Sequence, residues 1–225
     1  MTPPTRKTAQ MLNAVVFLLI FWAVFPPRYY VGMVIVLAIL PWVAIRLKMR
    51  FPDIYRLEWR RKDPNPNISK FFIVPGVILM LRAYNDYAIL GWVALLAVMV
   101  LIAAAINIAV YKADSAEEPA AIFTFSRIWL AFLLLPYCYG LAVQANALLD
   151  IWPVHEHEVT VLGKYDWHTH WSVRIEPWGD VHSIKNIPVS KAVYDTVNKG
   201  ERACVRQHTG ALFISWYDVG ICTVK

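Results

Sequence analysis

The sequence predicts an α-helical transmembrane domain of four or five spans at residues 1–150, followed by a small β-barrel-like domain at residues 151–225. Three observations lead there. First, 58% of the 225 residues are apolar on a count that includes Tyr, and only 17% are charged, against roughly 45–50% apolar and about 25% charged in soluble domains. Second, long apolar runs fill the first two thirds of the chain, and mean hydropathy is +0.45. Third, the composition changes at Asp150: all six histidines, five of ten tryptophans and five of nine glycines lie in residues 150–225. Disordered, collagen-like and disulfide-rich small proteins are excluded by this balance.

Charge divides the same way. Residues 1–149 carry 14 Lys/Arg against 7 Asp/Glu, and residues 150–225 carry 8 against 9, so the net +6 belongs to the apolar part. Eight positives, Arg46, Lys48, Arg50, Arg56, Arg60, Arg61, Lys62 and Lys70, crowd the loop 46–70. This suits a cytoplasmic face with anionic headgroups, which explains the pI of 9.2 without nucleic acid as a partner.

The elements follow in order. Arg6 and Lys7 precede the apolar run Met11–Phe25, which has no small-x-small cleavage site before Pro26 and Pro27 and reads as an uncleaved first span. Tyr29–Ile45 returns as its hairpin partner, with Pro41 tolerated if a neighbour satisfies the carbonyl it frees. The loop 46–70 contains DPNPN at Asp63–Asn67, which opposes regular structure, and a short interfacial helix at Ile54–Arg61.

Phe71–Leu81 is apolar but short, and Pro75-Gly76 interrupts it. It reads either as a re-entrant or interfacial segment or as a short kinked span from about Ser69 to Tyr84. Tyr87–Tyr111 is a full span, Lys112–Pro119 a polar connector, and Ala120–Leu149 holds the last span. Gln144 and Asn146 near its end are expected to be solvated at the interface. Arg82 and Asp86, four apart, would pair only if their helix continues past a solvated turn.

Four spans place the C-terminal domain inside and five place it outside. Asp150–Leu162 contains no Lys or Arg, which favours five spans and a periplasmic C-terminal domain.

In that domain strands are expected at Glu158–Leu162, Ser172–Glu176, Val181–Val189, Arg202–His208, Ala211–Tyr217 and Ile221–Val224. Turns fall at PWGD (Pro177–Asp180), NKG (Asn198–Gly200) and Thr209-Gly210, where glycine supplies a positive φ. Ser190 caps a short helix over Lys191–Val197. Three strands, a helix and two or three strands match the element order of OB or SH3-like barrels, an order that carries no function by itself.

The segment VSKAVYDTVNKGERACVRQHTGALFISWYDVGIC, Val189–Cys222, resembles the closing segment of a group of uncharacterised bacterial membrane proteins in which a few transmembrane helices precede a small β domain. The resembling features are a Val-Ser and Tyr start, a Gly-Asp-x-Val turn and strand, a Gly-Ala-Leu turn and a Trp-Tyr pair. Glu201 departs at the Asp position, as does Phe213-Ile214-Ser215 before Trp216. A weaker likeness covers RLEWRRKDPNP at Arg56–Pro66 and NALLD at Asn146–Asp150. The resemblance implies a multi-pass protein of the bacterial inner membrane. No activity attaches to the group, so no functional residues are carried over.

Chemistry-bearing residues are few. His155 and His157 share one face of an extended strand, and His168 and His170 repeat the spacing, so four imidazoles would bind zinc or copper if the pairs met. That spacing is not a zinc signature, and histidines on a solvated strand face explain it as well. Cys204 and Cys222 are a disulfide candidate in an oxidising compartment and free thiols in cytosol, while Cys138 lies inside an apolar run. Trp152, Trp167, Trp171, Trp178 and Trp216 suit core filling and headgroup contact as well as ligand stacking.

The sequence carries no Walker loop, no GxGxxG and no nucleophile motif around Ser172, Ser183, Ser190 or Ser215. Neither a catalytic residue nor a cofactor is expected. The expected role is non-enzymatic: presentation of the β domain to a protein partner or a second copy at the bilayer, the alternative being a metal- or small-ligand-binding sensor or transport accessory.

Overall fold

A computed structural model describes residues 14, 30–52, 54–55, 68–114, 125–167, 170–179 and 181–222, with backbone alone at 114, 125–131, 167 and 170. Nearly all of the expected first span Met11–Phe25 and of the expected interfacial helix at Ile54–Arg61 lies outside these residues. Two compact units divide the chain, one of residues 1–83 and 95–144, the other of residues 84–94 and 145–225.

The helical unit is built from α1 (Tyr30–Arg50), α2 (Lys70–Asp86), α3 (Trp92–Asp114) and α4 (Phe125–Leu148). By length and composition α1 and the Trp92–Ala113 part of α3 could each cross a membrane, with hydropathies of 2.1 and 2.8, and Phe132–Leu148 is a shorter apolar helical stretch. Contacts define the helix directions. Tyr30 donates from its hydroxyl to Gln144 Oε1 at 2.7 Å, and Tyr137 donates to the Ala38 carbonyl at 2.6 Å, so α1 and α4 are antiparallel. The second bond falls beside the Leu37 carbonyl, which Pro41 leaves without its helical N–H.

Helices α2 and α4 instead run parallel and nearly touch backbone to backbone. A Cβ on Gly76 would come 3.0 Å from the Tyr137 nitrogen, and three residues further along both helices a Cβ on Gly140 would strike the Leu79 backbone. Small residues permit such close backbone approach. Buried Phe71, Phe72, Ile78 and Leu79 of α2 and buried Leu134, Tyr137 and Cys138 of α4 fill the unit's interior.

The second unit is a nearly closed, barrel-like antiparallel sheet in the order β1-β6-β5-β2-β3-β4. Its elements are β1 (Ala88–Ile89), β2 (His155–Trp167), β3 (His170–Ile175), β4 (Lys185–Val189), α5 (Lys191–Thr196), β5 (Arg202–His208) and β6 (Trp216–Gly220). The long β2 pairs with β5 through Thr160 and with β3 from Val161 onward. At this changeover Glu176 Oε1 accepts from the Thr160 amide and hydroxyl, and the register shifts between Val161 and Gly163. Alternate residues point inward: Val159 and Val161, Val173 and Ile175, Ala203 and Val205, Tyr217 and Val219, closed over by Trp178 and Ile187.

Ser190 caps α5 as expected, accepting from the Val193 amide. All three expected turn glycines have positive φ: 48° at Gly179, 85° at Gly200 and 77° at Gly210. Glu201 reaches back to the Asn198 amide and side chain, accepting at 2.8 and 3.2 Å, and closes that turn itself.

Elsewhere the structure corrects the reading. Phe71–Leu81 is not interrupted at Pro75-Gly76: α2 is one helix of 17 residues that continues through Arg82, Asn85 and Asp86. The span expected from Tyr87 starts at Trp92, because Ala88 and Ile89 leave the helix to pair with Tyr217 and Trp216. Residues 84–94 therefore join the β unit, and a cut at Asp150 alone does not separate the domains. Ala211–Tyr217 is strand only from Trp216, and Ile221–Val224 holds no strand among its described residues. Extended pairing of Val181–Val189 begins at Lys185, with a single bridge from Val181 to Trp178.

Cys204 and Cys222 form a disulfide across 18 positions of sequence, and Cys138 is a buried free thiol. Reduction of the bridge is expected to destabilise the β unit by about 3 kcal/mol, from the loop-closure entropy of a ring of this size. Thermal unfolding with and without reductant measures it. A Gly140→Val change is expected to cost at least ~2 kcal/mol of helical-unit stability through overpacking, measured as unfolding in detergent.

Candidate functional site

The polar centre of the β unit is the last turn of α4 and the loop 209–215. Apolar periodicity carries α4 to Leu148, yet Asn146 near its end is fully buried. Its Oδ1 accepts from the amides of Leu212 and Ile214 at 2.9 and 3.4 Å, its Nδ2 donates to the Ile214 carbonyl at 2.8 Å, and its own carbonyl accepts from Ala211. One residue thus replaces the strand partner that this segment lacks. Gly210 packs against the amide, where a Cβ would collide with its side chain.

Asp150 completes the grip. One oxygen accepts from the Gly210 amide at 3.1 Å and the other from Trp152. On the opposite flank Leu90 and Gly91 both donate to the Ser215 carbonyl, so the start of α3 holds the same loop. The interfacial solvation expected for Gln144 and Asn146 is overturned, since both are fully buried and hydrogen-bonded.

His208 ends β5 beside this loop. Its ring stacks on Trp216 at 3.8 Å between centroids, and Tyr87 meets the other ring system edge-on at 5.2 Å. Nδ1 lies 3.6 Å from Asp150 and Nε2 3.9 Å from Asp218, both longer than a hydrogen bond. Asp218 is engaged by Arg206 through two bonds of 2.9 and 2.6 Å. Burial pulls the His208 pKa below its ordinary value, against the upward pull of Asp218 and Asp150, while Arg206 adds to the lowering. The arrangement holds the imidazole against an indole and beside two carboxylates.

The histidine pairs are placed differently. His155 pairs in register with Gln207 and His157 with Val205 at the start of β2, whereas His170 pairs with Trp167 at its far end. About 40 Å of extended strand runs between those ends. His155 is exposed and His157 half-buried, while His168 and the His170 side chain lie outside the described residues. Among the described residues no three His, Cys, Asp or Glu side chains converge on a point that would hold a metal.

Of the tail tryptophans, Trp178 packs in the barrel core, Trp216 is buried against His208 and Tyr87, Trp171 is half-buried and Trp152 is exposed. The fold defines a chain with a helical unit of apolar helices and a small antiparallel barrel gripped by helix ends. No protein-family model matches the chain, and neither a curated protein nor a solved structure shows significant similarity to it.

Asn146→Ala is expected to destabilise the β unit by ~2–4 kcal/mol, because two amides and a carbonyl lose their partner in a buried site; denaturant unfolding followed by tryptophan fluorescence reads it. For His208 the folded pKa lies below the unfolded one, so its contribution is fully present above about 6.5 and is lost as pH falls from there through the folded value. A Tm that declines between about pH 7 and pH 5, with a shallower decline in His208→Gln, is the expected outcome.

Proposed function

We propose that this is a non-enzymatic bacterial inner-membrane protein that crosses the bilayer five times and displays its β unit on the periplasmic side for interaction with a protein partner or with a second copy. The observation that carries the topology is the parallel, close-packed pair α2 and α4. Matching positions along the two helices meet, so they occupy one depth, and a bilayer crossed by α4 is crossed by α2 as well. At 17 residues, α2 is about 25 Å long, near the lower end of the range for spanning.

Connectivity supports the same assignment. β1 follows α2 and precedes α3, β2 follows α4, and both strands belong to one sheet, so α3 and α4 leave it and return. α1 is antiparallel to α4, and its last turn carries the basic residues Lys48 and Arg50. The positive-inside bias favours the cytoplasm for the basic stretch 46–70, and the absence of Lys and Arg from Asp150–Leu162 favours the periplasm for the β unit. The Cys204–Cys222 bridge accords with an oxidising compartment.

For display, the barrel offers exposed Tyr165, Ile184 and Ile221 on a unit whose own core is filled by inward residues. Paired reporters fused after Lys225, one active only in cytoplasm and one only in periplasm, test the topology; periplasmic activity is expected, and cytoplasmic activity overturns five spans. Photo-crosslinkers at Tyr165 and Ile184 are expected to yield a discrete adduct in cells. A differently tagged second copy distinguishes self-association from a partner, and no adduct at either position removes the interaction reading.

A further inference from the structure

The loop gripped by Asn146 carries an exposed aromatic in an unfavourable backbone conformation. Phe213 has φ of 58° and is the sole non-glycine with positive φ among the described residues, yet 66% of it is open to solvent. Left-handed geometry is unfavourable for a residue that carries a Cβ. An exposed phenyl ring recovers none of this by core packing. The hydrogen bonds to Asn146 and Asp150 impose the conformation from both sides of the residue, so the ring is held outward by construction.

Its neighbours are apolar and equally open. Trp152 lies 6.1 Å from the Phe213 ring, and Ile151, next to it, is 88% exposed. Leu149 begins this run one residue after α4 ends, and exposed Trp92 and Val93 open α3, whose preceding residues Leu90 and Gly91 hold Ser215. The loop is therefore fastened to the C-terminal end of one apolar helix and the N-terminal start of another, at a single level. Aromatic side chains at the ends of membrane-crossing helices belong at the headgroup boundary.

We infer that Phe213, with Trp152 and Ile151, forms a wedge that inserts into the headgroup and upper acyl region of the same bilayer that α3 and α4 cross, anchoring the β unit to the membrane surface. The inference rests on the membrane reading above and adds the surface of the β unit that lipid covers. Continuity selects lipid as the occupant: the patch starts where apolar helix becomes chain outside the bilayer, and the aromatics at both helix ends share its level. The strained φ then serves to aim the ring at the bilayer, the one nearby phase in which its exposure is favourable.

The test uses the full chain in phosphatidylcholine nanodiscs, with an environment-sensitive thiol label at Phe213→Cys and, in case that loop does not fold, separately at Trp152→Cys. Leu101→Cys on the exposed face of α3 reports membrane insertion, and Lys199→Cys in the exposed NKG turn is the aqueous control. Lipid brominated near the top of the acyl chain is expected to reduce emission at 213 or 152 by about twofold, the depth of interfacial insertion, and to leave 199 unchanged.

Quenching at 101 with none at 213 or 152, and free access of a water-soluble quencher to both, overturns the wedge while preserving the membrane reading. No quenching at 101 overturns the membrane reading itself. Protection of 213 from the aqueous quencher without quenching by brominated lipid assigns the patch to a protein or a second copy and also overturns the proposal.

Discussion

The hydrogen-bonding capacity of one buried amide is the constraint on which the β unit depends. A six-stranded sheet needs every inward backbone group paired, and the segment between β5 and β6 has no adjacent strand to pair with. Asn146 supplies acceptor and donor together: its Oδ1 takes two amides and its Nδ2 a carbonyl. Neither Asp, lacking the donor, nor Leu, lacking both, provides this set. The last turn of a helix is thereby incorporated into the barrel, and the side chain that looked like an interfacial polar residue organises a loop more than sixty positions away.

A second constraint operates between helices. Gly76 and Gly140 remove the side chains that would hold α2 and α4 apart, and the resulting parallel contact permits the interrupted-looking sequence around Pro75 to remain one helix. Tyr137 then reaches α1 beside Pro41, donating to the Ala38 carbonyl next to the one that Pro41 leaves without its helical N–H.

What was legible in the residues followed from local periodicity. The alternation of Val159 and Val161, Val173 and Ile175, and Ala203 and Val205 marks strands with one inward face, and Ser190 and the glycines at 179, 200 and 210 mark the cap and turns. Arg202–His208 was delimited residue for residue. The Ala211–Tyr217 stretch misled because its β-rich composition describes side chains, whereas the backbone of Ala211, Leu212 and Ile214 is partnered by Asn146 on a helix. β1 escaped notice for a related reason: Ala88 and Ile89 are indistinguishable from the apolar run that continues them, and only pairing with Tyr217 and Trp216 makes them a strand.

The sequence by itself determined the two-part composition, the apolar helices, the strand faces and the basic loop, because these depend on hydrophobicity and on contacts a few residues apart. Tertiary structure decided the rest: that α2 is continuous and parallel to α4, that residues 84–94 complete the second unit, that Asn146 is buried, that His208 stacks on Trp216 and that Phe213 is held outward. Each of those features is a pairing between groups far apart along the chain. A residue's type states what it can bond to, and only the folded chain brings the partner within reach.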